Sequence, residues 1–423
     1  MVRQRRRTVS ASAIGLSFVL LVAACAPLVG QRPPGESMSP DIAPAPSPVP
    51  TSEGADTGAT GGPTPSVAPT ARGTLNVSTA GWRTDFSIAT VDLSEIVGGG
   101  PGKDGIPAVD EPRFESIGEA RAWQEDQAPV IAVEANGEVR AYPLSILIWH
   151  EIVNDTLGGV PVVVTFCPLC NTALVFEREV DGVVYDFGTT GNLRFSDLVM
   201  YDRQTESWWQ QATGQAIVGV LTGTRLPFVA SQIVALGDFA AAHADALVLS
   251  RDTGHLRSYG SNPYVGYDAV DQNPFLFRGV VDGRLPPMER VVTVTVDDAA
   301  VAYPYSELAK VHVVNDEISD TPIVVLWQPG TSSALDAGDI DAGRDVGATG
   351  VFSPIVAGQS LTFEAGADGT IVDRETGSSW TIFGTANGGP LVGERLRPIA
   401  HGDHFWFAWA AFEPETGIWT ADR

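Results

Sequence analysis

The pattern of apolar and polar positions has a period close to two along most of the chain, which is typical of β-strands. Residues 130–142 alternate in this way around Asn136-Gly137, a dipeptide that favours a two-residue hairpin turn. A second hairpin is predicted at 150–166, where the chain turns at 156–159, and a third at 172–187, where it turns at Asp181-Gly182. We therefore expect strands joined by tight turns through this part of the chain.

Short helices are predicted at three places between the strands. Residues 143–148 begin with a proline that can start a helical turn, and residues 239–243 carry a run of alanines. The aromatic run at 405–412 fits either a helix or a core strand. With 45 Gly and 30 Pro residues to supply turns, the pattern predicts a mainly β protein with a few short helices, of the α+β class.

The sequence contains an internal repeat. When the chain is shifted by 161 positions, residues 139–174 align with 300–335 without a gap, and 14 of the 36 aligned positions are identical. Further along, Asp202–Trp209 parallels Asp373–Trp380. We expect an internally duplicated β-rich unit in a pseudo-two-fold arrangement: residues 73–288 hold the first copy with a connecting segment, and residues 289–423 hold the second.

The two copies differ at the positions where chemistry could occur. Gln328 and Thr331 align with Cys167 and Cys170, and a valine aligns with His150. A duplicated fold keeps in both halves what its backbone requires, so residues present in one copy alone are candidates for function. We therefore expect a single site, in the first copy.

The first 24 residues have the pattern of an export signal. Four arginines precede an apolar run at 13–24 that is short for a membrane span. The run ends in Val-Ala-Ala-Cys25, which resembles the lipobox of bacterial lipoproteins. We expect removal of residues 1–24 and lipidation of Cys25, which would anchor the protein at the extracytoplasmic face of the cell membrane. An ordinary signal peptide, cleaved nearby, is the alternative.

Residues 25–72 are rich in Pro, Ser, Gly and Thr and have almost no large apolar side chains, which predicts a disordered tether. Removal of residues 1–24 deletes four arginines and no acid, so the formal charge changes from −25 to −29. Such an acidic surface argues against binding to nucleic acid and against lying on anionic lipid. It does not identify a small ligand or a partner protein.

Cys167 and Cys170 are the only cysteines outside the export region, so no disulfide framework is expected. Their Cys-Pro-Leu-Cys turn is followed by Asn171 and an apparent strand, whereas a helix follows the cysteines of thioredoxin-like proteins. This pattern favours a metal-binding turn. His150 is the expected third ligand, across the hairpin, and Met200 is a weaker fourth. Two thiolates, an imidazole and a thioether would favour copper, and zinc is the other metal considered.

Asp197 and Glu151 are expected to contact these ligands and orient them. Two other interpretations of the cysteines remain open, namely a thiol–disulfide redox pair and structural or inert thiols. Met200 is more simply explained as a core methionine. In the same way, a histidine beside a tryptophan is more often a hydrogen-bonded core residue than a ligand.

A loop rich in tyrosine carries Tyr259, Asn262, Tyr264 and Tyr267, which could line a ligand pocket. An exposed connecting loop is the alternative. The sequence has no serine-hydrolase elbow, no phosphate-binding glycine loop and no zinc-protease motif. Whether the protein is an enzyme therefore stays open.

Several motifs occur together: His-Glu-Ile-Val-Asn-Asp at 150–155, Phe-Cys-Pro-Leu-Cys-Asn at 166–171 and Ser-Asp-Leu-Val-Met-Tyr-Asp-Arg at 196–203. With Tyr-Gly-Ser-Asn-Pro-Tyr at 259–264, they resemble a bacterial and archaeal family catalogued as domain-of-unknown-function family 3179. The resemblance covers about residues 88–420. It implies an exported or lipid-anchored protein and brings no established activity. Asn171 stands where the family is expected to have glycine, a change that is compatible with a left-handed turn.

The sequence thus predicts an extracytoplasmic, membrane-anchored lipoprotein with one site around Cys167, Cys170 and His150. The first interpretation is binding of a transition metal, copper or zinc. The second is thiol–disulfide exchange by the two cysteines. The third is a non-catalytic ligand-binding or structural protein of the cell envelope.

Overall fold

The structure is a computed structural model that describes residues 69–367 and 369–421. The predicted export signal, Cys25 and the predicted tether up to residue 68 lie outside the described residues. The described residues belong to a unit that spans Pro65–Arg423.

The end of the predicted tether takes part in the fold. Thr70 forms a β-bridge with Ile88, and Arg72 forms one with Asp92. The amide of Ala71 also donates a hydrogen bond to the carbonyl oxygen of Ser87 at 2.9 Å. Regular backbone pairing therefore begins slightly ahead of residue 73.

The described chain has five short α-helices. They are α1 (Ile117–Ala120), α2 (Leu144–His150), α3 (Leu236–Ala242), α4 (Tyr305–Val311) and α5 (Trp406–Phe412), and three 3₁₀ turns occur at Leu93–Glu95, Gln211–Thr213 and Ile340–Ala342. In the part of the chain that the structure describes, no helix has the length and apolar character needed to cross a membrane. Within the aromatic run at 405–412, Phe405 ends strand β29 and residues 406–412 form helix α5, one of the two forms expected for the run.

Thirty β-strands account for most of the regular structure of the described chain. The strands before residue 250 are β1 (Ile96–Gly98), β2 (Phe114–Ser116), β3 (Pro129–Ala135), β4 (Glu138–Pro143), β5 (Ile152–Leu157), β6 (Val160–Cys167), β7 (Thr172–Glu177), β8 (Glu179–Val180), β9 (Val183–Val184), β10 (Phe187–Arg194), β11 (Asp197–Asp202), β12 (Trp208–Gln210), β13 (Gln215–Val218), β14 (Phe228–Val229), β15 (Ser231–Ala235) and β16 (Leu247–Leu249). The strands after residue 289 are β17 (Arg290–Val296), β18 (Ala299–Pro304), β19 (Val313–Ile318), β20 (Thr321–Gln328), β21 (Ala348–Ser353), β22 (Ile355–Val356), β23 (Gln359–Ser360), β24 (Phe363–Ala365), β25 (Ile371–Asp373), β26 (Ser379–Trp380), β27 (Ala386–Gly388), β28 (Arg397–Pro398), β29 (His401–Phe405) and β30 (Gly417–Ile418).

These strands form several sheets, which confirms the prediction of a mainly β fold with a few short helices. The largest sheet has eight strands in the order β30-β18-β17-β29-β7-β6-β5, with β14 paired to β7. Strands from both halves of the chain therefore share one sheet. Two five-stranded sheets have the orders β15-β3-β4-β16-β2 and β1-β10-β11-β12-β13, and two four-stranded sheets have the orders β19-β20-β21-β28 and β24-β25-β26-β27.

The first two predicted hairpins are confirmed. β3 pairs with β4 around Asn136 and Gly137, whose φ angles of 48° and 82° are of the kind that a type I′ turn requires. β5 pairs with β6 from Ile152↔Thr165 to Leu157↔Val160. The third prediction is right about the turn at Asp181-Gly182, which joins β8 to β9, and wrong about the longer strands, because β7 pairs with β6 and β10 pairs with β11.

The largest hydrophobic cluster surrounds the turn that carries Cys167 and Cys170. It takes side chains from α2, β5, β6, β7 and β11 and includes Cys167, Cys170 and Met200. The strands of this region carry continuous runs of buried residues: every residue of β11 is buried, and so are the last six of β6. A strand buried on both faces shows no clear alternation of apolar and polar residues. Both cysteines are buried as well, so the cysteine corner lies inside the protein.

Candidate metal centre

The candidate site lies at the turn between β6 and β7. Cys167 is the last residue of β6, and its carbonyl oxygen accepts a hydrogen bond from the amide of Cys170 at 3.3 Å. Asn171 then adopts a left-handed conformation with φ 50°, which asparagine tolerates better than most residues, and β7 begins at Thr172. This turn brings the two Sγ atoms to 3.5 Å from each other.

Asp197 joins the two cysteines. One of its carboxylate oxygens and the two sulfur atoms all lie within 4.8 Å of one another, the one group of three metal-ligating side chains of this kind among the described residues. Oδ1 accepts hydrogen bonds from the amide of Ala212 at 2.9 Å and from Nε2 of Gln210 at 2.5 Å. Oδ2 has no hydrogen-bond partner in the described chain, although the thiol of Cys170 is close enough to lower the pKa of Asp197.

Burial raises the pKa of every acidic group in this cluster. The pKa of Asp197 rises to about 7, because burial outweighs the hydrogen bonds from Ala212 and Gln210. Burial also raises the pKa of the Cys167 thiol, and it raises the pKa of the Cys170 thiol well above its ordinary value. At neutral pH the thiols are therefore protonated and the carboxyl group is close to half protonated.

Glu151 is a second buried acid beside the cluster. It follows α2 in a left-handed conformation with φ 59°. Burial raises the pKa of its carboxyl group to about 8, and the charge of Asp197 adds to this effect. In turn, Glu151 contributes to the raised pKa of Cys167. Both acids that the sequence analysis assigned to the surroundings of the ligands thus act on the cysteines.

His150 lies in a different set of contacts. Its Nδ1 is 2.7 Å from the carbonyl oxygen of Pro107, and its Nε2 is 2.7 Å from Oη of Tyr259. It does not belong to the group formed by the sulfurs, where Asp197 is the third side chain. Burial lowers the pKa of His150 to about 4, so the ring is neutral at physiological pH. His150 as a metal ligand therefore stays a prediction, and Asp197 is the third side chain of the observed group.

The position of His150 depends on where helix α2 ends. The helix continues to His150, and Glu151 turns the chain, so strand pairing begins at Ile152. If β5 had begun at His150, continued pairing with β6 would have placed the histidine opposite Cys167, which is the arrangement that the sequence pattern predicted. The extra helical residues and the left-handed turn give the histidine a different direction.

Met200 has the surroundings of a core methionine. It is fully buried on β11, where it pairs with Thr189 on one side and Trp209 on the other. Its side chain belongs to the same hydrophobic cluster as both cysteines. This agrees with the simpler of its two interpretations.

The tyrosine loop packs against the cysteine corner. Oη of Tyr267 donates a hydrogen bond to the carbonyl oxygen of Leu169, between the two cysteines, at 3.0 Å. Burial raises the pKa of Tyr264, and Glu151 and Cys167 raise it further. The loop therefore covers the site.

The other two loop residues also have partners within the protein. Tyr259 contacts His150, as described above, and its Oη lies 2.5 Å from Oγ1 of Thr253. Asn262 is buried, donates to the carbonyl oxygen of Ala337 at 3.0 Å and accepts from the amide of Tyr264 at 2.7 Å. These contacts fix the loop against the body of the protein.

Two residues beside the site were not singled out from the sequence. Gln210 donates to Asp197, and Gln211 donates through Nε2 to Oγ1 of Thr165 at 2.8 Å. No motif marks them. The available signal is a sequence comparison of two similar segments, since Gln210 follows Trp209 in Asp202–Gln210 and Thr381 follows Trp380 in Asp373–Thr381.

The fold and the site define a mainly β protein with a buried cluster of two thiols and a carboxyl group. The chain belongs to the family described as "Protein of unknown function (DUF3179)", whose model matches residues 103–416. The resemblance to domain-of-unknown-function family 3179 is thereby confirmed, and the family has no established activity. No curated protein and no solved structure matches the chain.

Proposed function

We propose that the protein binds a divalent transition metal, zinc in the first place, through Cys167, Cys170 and Asp197. One observation carries the proposal: the two sulfur atoms and a carboxylate oxygen lie within 4.8 Å of one another in a buried site. Cysteine thiolates and aspartate oxygens are both ligands that zinc uses in proteins. A fourth donor would complete the coordination that zinc prefers.

The spacing of the sulfur atoms suits chelation of one ion. In a tetrahedral site with Zn–S bonds of about 2.3 Å, two sulfur ligands are roughly 3.8 Å apart. The Sγ atoms of Cys167 and Cys170 are 3.5 Å apart, so a small rotation of the side chains suffices. A disulfide bond needs about 2.05 Å and therefore a larger movement.

A bound cation would also stabilise the ionised forms of the buried carboxyl group and thiols. Asp197 has a raised pKa because it is buried, and Arg194, which pairs with Glu95 at 2.7 Å, lowers this pKa less than burial raises it. A divalent ion would supply the positive charge that allows the buried thiols and the carboxyl group to lose their protons. Oδ2 of Asp197, which has no partner in the described chain, would become a ligand atom.

The changed ligand set alters the expected metal. An imidazole from His150 and a thioether from Met200 would have favoured copper. A carboxylate oxygen in place of these two groups favours zinc, because oxygen donors suit zinc better than they suit copper(I).

The metal content of the full-length protein, purified without chelator, tests the proposal. We expect stoichiometric zinc in the wild type and loss of zinc in the variant Cys167→Ser/Cys170→Ser. The control is Gln328→Ser/Thr331→Ser, which changes the corresponding positions of the second half and should keep its zinc. Equal zinc in the wild type and in the cysteine variant would contradict the proposal.

Thiol–disulfide exchange is a second candidate function, and the 3.5 Å between the two thiols favours it. Cys167 and Cys170 would lose two protons and two electrons to form a disulfide, while a disulfide of a partner molecule is reduced to two thiols. Against it, the thiolate is the attacking species, and burial raises the pKa of both thiols. A reversible disulfide in glutathione buffers, in protein that binds no zinc, would favour exchange over metal binding. If the protein neither binds zinc nor forms a reversible disulfide, the remaining interpretation is a structural or ligand-binding protein of the cell envelope.

We further propose that residues 73–288 and 289–423 are two copies of one unit. Support comes from the element bounds: β3, β4, α2, β5 and β6 each begin and end 161 positions before β17, β18, α4, β19 and β20. A side-chain contact also recurs. Oη of Tyr142 donates to Oδ2 of Asp155 at 2.7 Å, and Oη of Tyr303 donates to Oδ2 of Asp316 at 2.8 Å.

We also propose that a lipid on Cys25 anchors the mature protein at the extracytoplasmic face of the membrane. The support is the lipobox-like Val-Ala-Ala-Cys25 after a positively charged, apolar segment. In cells that produce the full chain, the variant Cys25→Ala should shift the protein from the membrane fraction to the soluble fraction. Unchanged membrane association of this variant would count against the anchor.

A further inference from the structure

Three buried oxygen atoms of the described chain have no hydrogen-bond partner; they lie on Asp197, on Gln210, which bonds to Asp197, and on the neighbouring Gln211. They are Oδ2 of Asp197, Oε1 of Gln210 and Oε1 of Gln211, none of which has a hydrogen-bond partner in the described chain. All three side chains are fully buried. Unpartnered buried acceptors are destabilising, and Asp197 is the one of these three residues that belongs to the group of possible metal ligands.

Gln210 determines which oxygen of Asp197 remains free. Its Nε2 donates to Oδ1 of Asp197 at 2.5 Å, and the amide of Ala212 donates to the same oxygen at 2.9 Å. Two donors on Oδ1 hold the carboxyl group in one orientation and leave Oδ2 without a partner. A carboxylate held in this way can present a single oxygen to a metal ion.

The two halves of the chain differ at this position. Trp209 and Trp380 correspond, since each donates through Nε1 at 3.0 Å to the aspartate seven residues before it. Gln210 follows the first tryptophan, and Thr381 follows the second. The backbone arrangement thus does not require a glutamine, and the residue occurs in the half that carries the cysteines.

We propose that Gln210 is a positioning residue, which holds Asp197 so that its free oxygen joins the two sulfurs around the metal and gives the site its preference for zinc over copper(I). This inference rests on the proposed zinc binding by Cys167, Cys170 and Asp197. Gln210 acts through its hydrogen bond and needs no contact with the metal.

The preference follows from what each ion requires. Copper(I) is a soft ion that thiolate ligands select, and two sulfur donors hold it without help from an oxygen. Zinc takes four ligands and accepts carboxylate oxygen as one of them. Disorder of the Asp197 side chain should therefore weaken zinc binding much more than copper(I) binding.

The test compares the affinities of zinc and of copper(I) in the full-length protein, each measured by competition with a chromophoric chelator. The main variant is Gln210→Met, which keeps the length of the side chain and removes its amide. We expect zinc affinity to fall by about 10- to 100-fold, the usual effect of losing a partner of a metal ligand, and copper(I) affinity to change by less than about threefold. Gln210→Leu, which also removes the amide and adds no titratable group, should weaken zinc binding in the same way.

Gln124→Leu is the matched control, because Gln124 is also a buried glutamine and lies outside the proposed site. Gln124→Leu should change neither the zinc affinity nor the copper(I) affinity. Any change that it does cause measures the effect of lower protein stability on metal binding. Equal zinc affinity in the wild type and in both Gln210 variants would overturn the inference, and so would a parallel loss of zinc and copper(I) affinity. A wild type that binds neither ion overturns the proposed function itself. If Gln210→Met does not fold, the result with Gln210→Leu decides.

Discussion

Glu151 and Phe166 are joined by a backbone hydrogen bond, in which the amide of Phe166 donates to the carbonyl oxygen of Glu151 at 2.8 Å. Phe166 directly precedes Cys167, so this bond ties the end of helix α2 to the cysteine corner. Glu151 acts electrostatically on Cys167, and Asp197 acts on Glu151. The neighbouring His150 has its hydrogen-bond partners elsewhere. The left-handed conformation of Glu151 thus places the Glu151 side chain, and not that of His150, where it acts on the Cys167 thiol.

The variant His150→Gln is expected to keep its zinc and to lose stability. Both ring nitrogens of His150 have partners at 2.7 Å, and disruption of buried hydrogen bonds costs about 1–3 kcal/mol. Zinc affinity and urea unfolding measured on the same preparation separate the two effects. A loss of zinc affinity of about tenfold or more, at unchanged stability, would return His150 to the ligand set.

Asp197→Asn should stabilise the metal-free protein at alkaline pH. Burial raises the pKa of Asp197 from 3.8 to about 7, so stability contributed by the protonated form is present below pH 4 and is lost as the pH rises to about 7. Asparagine does not titrate and avoids this loss. Since one pKa unit corresponds to about 1.4 kcal/mol, the gain at pH 8 is on the order of 1–4 kcal/mol.

Urea unfolding at pH 4 and pH 8, in the presence of a chelator, measures this gain. The difference between Asp197→Asn and the wild type should be larger at pH 8 than at pH 4. A difference that is the same at both pH values would show that Asp197 does not titrate with a raised pKa.

Zinc affinity should increase with pH through neutrality. Protonated ligands must lose their protons before they bind a metal, and burial raises the pKa of Asp197 and of both thiols. Isothermal titration in buffers of different ionisation enthalpy counts the protons released per zinc ion. Proton release with stronger binding at higher pH is expected, and binding that is independent of pH would argue for ligands of another kind.

Two asparagines that lie 161 positions apart in the sequence should differ in their contribution to stability. Asn154 bonds to both backbone groups of Phe187 at 2.8 and 2.9 Å, and Asn315 bonds to both backbone groups of Phe363 at 2.8 Å. Asn154 is buried and Asn315 is exposed. After substitution, water can therefore replace the hydrogen bonds made by the Asn315 side chain but not those made by the Asn154 side chain. Chemical denaturation should show a loss of about 1–3 kcal/mol for Asn154→Ala and about 0.5–1.5 kcal/mol for Asn315→Ala. Equal losses would contradict this view of the two positions.

Much of the strand framework could be predicted from the sequence. The alternating pattern and the Asn136-Gly137 turn place β3 and β4 within one residue of their observed bounds, because a period of two and a type I′ turn are local properties of the chain. The prediction failed at 172–187. There β7 takes β6 and β29 as neighbours, and such pairing between remote strands leaves no mark in the local pattern.

The composition of the site was harder to predict than the fold. The cysteine spacing identified the corner, but the third side chain depends on a non-glycine residue with positive φ, Glu151, which sequence patterns rarely reveal. Gln210 reaches Asp197 because β11 and β12 pair with each other in the folded protein. Contacts of this kind are tertiary, and the only guide in the sequence was the difference between two similar segments of the chain.

X-ray absorption spectroscopy of the zinc-loaded, full-length protein tests the central claim most directly, because it reports the atoms bound to the metal. The proposed site predicts two sulfur neighbours at about 2.3 Å and oxygen at about 2.0–2.2 Å, without the outer-shell scattering of an imidazole. The variant Asp197→Asn should keep the two sulfurs. A zinc shell without sulfur, or one with the scattering pattern of histidine, would contradict binding by Cys167, Cys170 and Asp197.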